Sequence, residues 1–389
     1  MPIAASQRLQ ALPPYIFAEL HRRRRAAIDA GRDVIDFGVG DPDRPTHAFI
    51  IDRMTRAIRD PKNHLYALGG GTPAFRQQMA AFFADRYGVE LDAARELLAL
   101  VGTKEGIGHL PLAVVNPGQT VLVPSPGYPV YQAAAIFAGA KPYVLKLEPD
   151  RGWLPDLDAV SHDVTQNAAL LFLNYPNNPT GAVATREFFE RAVAFARERD
   201  LLVAHDAAYN ELYLDDQPPP SILQVSGARD VAIEFHSASK TFNMTGWRVG
   251  FVAGNPDVIA ALAAVKANFD SGVFGAVQEA AAEAFQGIDR PEVREIRSVY
   301  RSRAELLCQG LQKLGFQAQP PAATFYVWAR VPPHVDSMSA CNRLLDEADI
   351  VGVPGIAFGP TADDHVRFSL GVPAERIKLA VERMGAIQW

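Results

Sequence analysis

"VAIEFHSASKTFNMTGWRVGFVAG", Val231 to Gly254, sets a single lysine, Lys240, between two apolar runs, with Arg248 eight positions further on. The lysine stands among small, hydroxyl and apolar residues. Desolvation there disfavours an ammonium, lowers the amine's pKa and makes it a usable nucleophile at neutral pH, which is Schiff-base chemistry. The flanking runs, "VAIEFHSAS" (Val231 to Ser239) and "RVGFVAG" (Arg248 to Gly254), read as buried strands.

Outward from this stretch the same texture repeats. "ELLALVG" (Glu96 to Gly102) leads into "KEGIGHLPLAVV", "QTVLVPSP" (Gln119 to Pro126) into "YPVYQAAAIFAGA", and "AALLFLNYP" (Ala168 to Pro176) into "REFFERAVAFARERD", while "LLVAHD" (Leu201 to Asp206) follows. Fully apolar strands separated by helical segments predict a mostly parallel sheet covered on both faces, with ligands beyond the carboxyl ends of its strands. After about Asp289 come a long charged helix, "PEVREIRSVYRSRAELLCQGLQKLG", then "TFYVWARV" and "PAERIKLAVERMG". This predicts a smaller α+β domain, residues 289–389, completed by an N-terminal segment, 1–45, around a large domain, 46–288.

The chain has 389 residues, 48% hydrophobic and 21% charged, with a net charge of −6. That balance leaves no electrostatic footprint for nucleic acid, and the one basic run, "HRRRR" at His21 to Arg25, reads as a solvated face of a helix over 16–30. No stretch approaches the ~18 apolar residues of a membrane span, and "MPIAASQRLQALPPYIF" has no long apolar core of a leader. Cys308 and Cys341 are the only cysteines, with neither metal spacing nor a disulfide framework, so a reducing, cytoplasmic setting and no metal are expected.

Several polar residues fall at the predicted strand ends. Asp206 closes "LLVAHD", with Tyr209 three positions on; a buried carboxylate there needs a partner such as a protonated heteroaromatic nitrogen, or caps a following helix. "NYPNNPTGAV" (Asn174 to Val183) is a turn that can aim the Asn178 amide at a ligand. "VGTKEGI" (Val101 to Ile107) offers the Thr103 hydroxyl and backbone amides at a helix start, and Ser237, Ser239 and Arg248 are a set of donors suited to a phosphate dianion.

With these residues in this order, the chain resembles the fold type I, pyridoxal phosphate dependent aminotransferases of class I and II. The carrying motifs are "YALGGGTPAFR" (Tyr66 to Arg76), "GTKEGI", "PSPGYPVY" (Pro124 to Tyr131), "NYPNNPTG", "HDAAY" (His205 to Tyr209), "SASKTFNMTGWRVG" and "VRFSL" (Val366 to Leu370). The resemblance implies a large domain with a mostly parallel seven-stranded sheet sandwiched by helices, plus a smaller domain drawn from both chain ends. It makes Lys240 the lysine that carries the cofactor and Asp206 the partner of its ring nitrogen, with Tyr209 and Asn178 on the ring's phenolic oxygen and Tyr128 stacked on its face. Thr103, the backbone at Lys104, Ser237, Ser239 and Arg248 would hold the phosphate, together with Tyr66 from a second subunit, so a homodimer with shared sites is implied. Arg367 would clamp a substrate carboxylate.

Within the class, the chain is most similar to the LL-diaminopimelate aminotransferases, through "LPPYIFAEL" (Leu12 to Leu20), "GVGDPDRPT" (Gly38 to Thr46), "KTFNMTGWRVGF", "NFDSGVFGAVQEA" (Asn268 to Ala280) and "ATFYVWARVP" (Ala323 to Pro332). This implies an amino-acid and a 2-oxo-acid substrate met by Tyr15, Gly40, Lys104, Asn178 and Arg367, with Tyr15 and Lys104 at the distal end. Aspartate, alanine and aromatic aminotransferases share many of these motifs. The chain departs from the family at Ala362-Asp363, where Gly-Glu is common, a few residues before Arg367.

Overall fold

The computed structural model describes residues 4–215 and 217–389; the first three residues of the N-terminal segment lie outside it. Its strands, in chain order, are β1 (Ile35–Asp36), β2 (Leu97–Leu100), β3 (Thr120–Ser125), β4 (Lys141–Lys146), β5 (Ala168–Asn174), β6 (Leu202–Asp206), β7 (Ala232–Ser237), β8 (Gly250–Gly254), β9 (Tyr326–Arg330), β10 (Ile350–Val351), β11 (Val353–Pro354) and β12 (His365–Ser369). Seven of them form one sheet in the order β2-β8-β7-β6-β5-β3-β4, in which only β8 runs against its neighbours.

Both faces of this sheet are covered, as the apolar runs require. On one face, Leu171, Leu173, Val203 and Phe251 pack with Phe75, Phe82 and Phe83 of the helix Pro73–Tyr87, Phe188 and Phe189 of the helix Arg186–Glu198, and the helix Gly275–Gln286. On the other, Leu170, Phe172, Ala204, Ile233 and Phe235 pack with Ile107 and Leu110 of the helix Thr103–Val114, Tyr131 of Val130–Phe137, and Ile259 and Leu262 of Pro256–Lys266.

The single reversed strand gathers polar residues at one end of the sheet. The carboxyl ends of β5, β6 and β7 lie side by side, with Asn174 opposite Asp206 and Asp206 opposite Phe235. Because β8 is antiparallel, its beginning meets the end of β7, Gly250 opposite Ser237, and also the end of β2, Gly250 opposite Leu100. One edge of the sheet therefore collects Asp206, Ser237, the segment leading into Gly250, and the helix start at Thr103.

A second core lies around the antiparallel sheet β11-β12-β9 and the helices Pro291–Lys313, Ser337–Ala348 and Ala374–Met384. The N-terminal part of the chain joins it: β1 pairs in parallel with β10, and Ile35 and Phe37 are buried in this core. Tyr209, Leu212 and Leu214, from the middle of the chain, pack into it as well.

The strand Lys141–Lys146 is not among those read from the sequence; it is the sheet's edge, and most of its side chains face solvent. Two local expectations are corrected. Asp206 caps no helix: residues 208–211 form a turn, and the one backbone amide its carboxylate accepts is that of Ala208 at 3.3 Å. The arginines of "HRRRR" are not all solvated, since Arg23 reaches Asp346 at 2.9 Å and Arg24 reaches Asp36 at 2.5 Å, tying the helix Ile16–Asp29 to β1 and to the helix Ser337–Ala348.

Candidate active site

Beyond the carboxyl ends of β5, β6 and β7 lies a cleft of about 630 Å³ between the two cores. Its wall brings together Tyr15, Gly40, Thr103, Lys104, Tyr128, Asn178, Asp206, Tyr209, Ser237, Ser239, Lys240, Arg248 and Arg367. Tyr66 is not among them: its side chain is 81% exposed on the surface of the same chain.

Lys240 sits in the four-residue helix Ala238–Thr241 that follows β7. Its ammonium donates to the Gly40 carbonyl at 2.6 Å and lies 3.7 Å from the Asp41 carboxylate. Burial brings the amine down to about 8, against the pull of Asp41, and the positive charges of Arg367 and Arg248 press in the same direction as burial. An amine with that pKa exchanges readily between its charged and nucleophilic forms near neutral pH.

Asp206 is 5% exposed, and its partners are the Tyr131 hydroxyl at 2.8 Å and the Ala208 amide. Burial pushes its carboxyl above the ordinary range, while those two hydrogen bonds pull the other way. Among the described residues no cation is placed within ion-pair distance of it. A buried carboxylate served only by neutral donors is matched to a cationic ligand atom.

At the other end of the cleft, the Arg248 guanidinium bridges the Thr245 and Val101 carbonyls at 2.9 and 3.4 Å, leaving further donors. Gly102, at φ +73°, precedes the helix start at Thr103, and a Cβ there would collide with that guanidinium, so the loop can close on Arg248 only as glycine. The Ser237 hydroxyl accepts the Ser239 amide at 3.1 Å. Two serine hydroxyls, Thr103, a guanidinium, Asp206 and a reactive amine lining one cleft fit pyridoxal phosphate: a phosphate dianion, a protonated pyridine nitrogen and an aldehyde.

Arg367, 4% exposed on β12, donates to Asn178 Oδ1 at 3.0 Å and to the Gly38 carbonyl at 2.9 Å. Its Nε–H is buried with no partner, an unspent donor in the cleft that suits a carboxylate fork. Asn178 is held by its turn: its backbone N–H donates to Asn174 Oδ1 at 2.9 Å, and Asn174 Nδ2 donates to the Asp206 backbone carbonyl at 2.8 Å. The Tyr209 hydroxyl lies 3.1 Å from the Tyr326 hydroxyl, and burial raises both phenols, so both are protonated donors at neutral pH. Lys104 reaches over the Tyr128 ring at 5.9 Å, and Tyr15 stands at the cleft mouth, 61% exposed.

Sequence reasoning missed Tyr131, Asn174 and Tyr326, although each lies inside a quoted motif. The available signal was periodicity: Tyr131 falls one helical turn after Tyr128, and Asn174 closes an apolar strand as Asp206 does.

The comparisons with known proteins agree with this geometry. Residues 32–384 match the family model "Aminotransferase class I and II". The chain is 48% identical to an LL-diaminopimelate aminotransferase of Syntrophobacter fumaroxidans (strain DSM 10017 / MPOB), covering 99% of each chain, and 48% identical to one of Aquifex aeolicus (strain VF5), covering 97% of this chain and 98% of that one. Among solved structures it superposes with substrate-bound BacF of Bacillus subtilis at a TM-score of 0.95 and 35% identity, covering 98% of this chain and 97% of that one. It superposes with the aspartate aminotransferase of Thermus thermophilus with maleate at 0.91 and 32%, covering 98% and 99%. With a match of that length, identity and fold, the chain belongs to the class I and II aminotransferase family.

Proposed function

We propose that this enzyme is a pyridoxal phosphate dependent aminotransferase that exchanges an amino group between glutamate and 2-oxoglutarate on one side and LL-diaminopimelate and tetrahydrodipicolinate on the other, a step toward lysine. The observation that carries the chemistry is Lys240, a part-buried amine brought to about 8 in one cleft with Asp206, Ser237, Ser239 and Arg248. The relatives' names support LL-diaminopimelate as the substrate on one side.

Pyridoxal phosphate, when bound, supplies an electron sink for the pair left behind when a substrate Cα–H bond is broken. The chain's residues do the rest. Asp206 would hold the positive charge at the ring nitrogen, Tyr209 and Asn178 would donate to the phenolic oxygen, Tyr128 would stack on the ring, and Thr103, the backbone at Lys104, Ser237, Ser239 and Arg248 would hold the phosphate. Arg367 would take the substrate α-carboxylate through its fork, with Gly40 lining the same wall, and so orient the substrate Cα–H bond. Lys240, as a neutral amine, would act as the general base for the substrate Cα proton. Tyr15 and Lys104 meet the substrate's distal end.

We further propose a homodimer whose partner lends Tyr66 to the phosphate, and a cytoplasmic setting. Leu65, Tyr66, Leu68 and Phe269 are 62–81% exposed on adjoining loops, an apolar surface suited to a second copy, and Cys308 and Cys341 are free and buried. No helix of the described residues is long and apolar enough to cross a membrane. The domain division at 45 and 288 is likewise proposed, supported by the separate sheets and cores.

A second reading has its own support. The cleft adjoins an apolar chamber of about 740 Å³ through Tyr15, Phe17, Lys104 and Tyr128, which favours an aromatic or aliphatic substrate side chain. The deciding experiment mixes the cofactor-loaded enzyme with LL-diaminopimelate, glutamate, aspartate, alanine and phenylalanine in turn and follows conversion of the cofactor to its amine form. Rapid conversion by LL-diaminopimelate and glutamate alone is expected; conversion by phenylalanine instead would establish the second reading.

A further inference from the structure

Behind Asp206, on the opposite face of the large sheet, three polar side chains are buried together. His205 on β6 and Glu234 on β7 are register partners, and His236 lies two residues past Glu234 on the same face. All three are within 2% of complete burial. Phe189 packs against the His205 ring at 4.8 Å, and Phe83 and Phe251 pack against His236 at 5.0 and 5.2 Å.

The proton positions follow from the partners. His205 Nε2 is 2.8 Å from the Tyr175 carbonyl oxygen, which can only accept, so Nε2 carries a hydrogen. His205 Nδ1 is 2.8 Å from Glu234 Oε2, which also accepts the Ile222 amide at 2.8 Å, while His236 Nε2 lies 2.6 Å from Glu234 Oε1. Burial would raise the Glu234 carboxyl, but the hydrogen bonds from His205 and His236 hold it well below the ordinary carboxylate range. Acceptor oxygens at both nitrogens are the setting that holds an imidazolium, and such a cation and the Glu234 carboxylate would satisfy one another in an apolar surround.

Each contact of this group leads to the cleft. His205 immediately precedes Asp206, and its positive charge favours the ionised form of that carboxyl against burial. The Tyr175 carbonyl it holds opens the turn that carries Asn178, and His236 immediately precedes Ser237.

We propose that His205, fixed as an imidazolium by Glu234, is a positioning residue of this site: it supplies the charge behind Asp206 that keeps a carboxylate ready for a cationic ring nitrogen, and it anchors the turn that aims Asn178. This role rests on pyridoxal phosphate being the cofactor. The test begins with the wild-type full-length protein carrying ¹⁵N-histidine, in which long-range ¹H–¹⁵N spectra read the protonation of both ring nitrogens at pH 7.5, with the His205 signal assigned through His205→Gln. Two protonated nitrogens are expected; a neutral ring overturns the proposal whatever any variant does. Pyridoxal phosphate is then titrated into the wild-type apoprotein and into Glu234→Gln, both checked for native circular dichroism, with tryptophan fluorescence as the readout. A dissociation constant weakened about tenfold in Glu234→Gln is expected, the scale of losing a supporting partner, and wild-type affinity overturns the proposal. Failure of the wild-type protein itself to bind pyridoxal phosphate would instead overturn the aminotransferase reading and leave the ring-nitrogen result standing.

Discussion

Asp206 and Glu234 are carboxylates on neighbouring strands, both buried, facing opposite sides of one sheet. Glu234 is surrounded by its own fold: two imidazoles and an amide occupy its oxygens, and its carboxyl is held low. Asp206 has a phenol and an amide, and its carboxyl is pushed up by burial. The difference teaches how a fold separates support from function. The back of the sheet is complete without a ligand, whereas the front is left short of partners that a ligand can bring.

That contrast can be attacked in order of effect. Lys240→Ala on the front face should cut turnover by about 10⁴-fold, the upper range for a lost general base, with an unchanged or raised melting temperature; activity near wild type would break the assignment. Glu234→Gln on the back face should lower unfolding free energy in urea by about 3 kcal/mol, because it strips the counter-charge from a buried cation. Asp206→Asn should go the other way in the apoprotein, neutral or stabilising by up to about 1 kcal/mol, since it removes a carboxylate that burial disfavours. The sign follows from linkage: a carboxyl raised in the folded state binds more protons there than in the unfolded chain, so Asp206 costs stability as pH rises through the acid range, and the Asn variant loses that slope. Equal losses in both variants would erase the distinction between the faces. Arg23→Ala, outside both faces, breaks the half-exposed pair with Asp346 and the hydrogen bond to Asn342 Oδ1, and should cost about 1 kcal/mol with no change in kcat.

The same two faces show what the sequence could tell. Buried strands such as "AALLFLN" and "LLVAHD" announce themselves because both faces are covered, and the rule that ligands lie at strand ends then selects Asp206 and Ser237. "KPYVLK" is harder to read, since its apolar stretch is only four residues between two lysines and, at the sheet's edge, most of its side chains are exposed, Tyr143 and Val144 among them. His205, Glu234 and His236 are in view as polar letters inside apolar strands, but their meeting depends on the pairing of β6 with β7, a register that no single strand encodes. Tyr131 and Tyr326 are hidden for a similar reason: one approaches Asp206 from a helix and the other reaches Tyr209 from a second sheet, and only the packing of those elements brings the hydroxyls together. Arg367 and Lys240 lie far apart in the chain, and the motifs around them, rather than any spacing, join them in advance.

The Gly38 and Gly40 carbonyls already occupy donors of Arg367 and Lys240. Together with the bond to Asn178, the Gly38 contact spends two of the five N–H donors of Arg367 and leaves three, and the Gly40 contact spends one of the three protons of the Lys240 ammonium. The fold thus holds both cations in place with part of their hydrogen-bonding capacity and keeps the rest for a ligand.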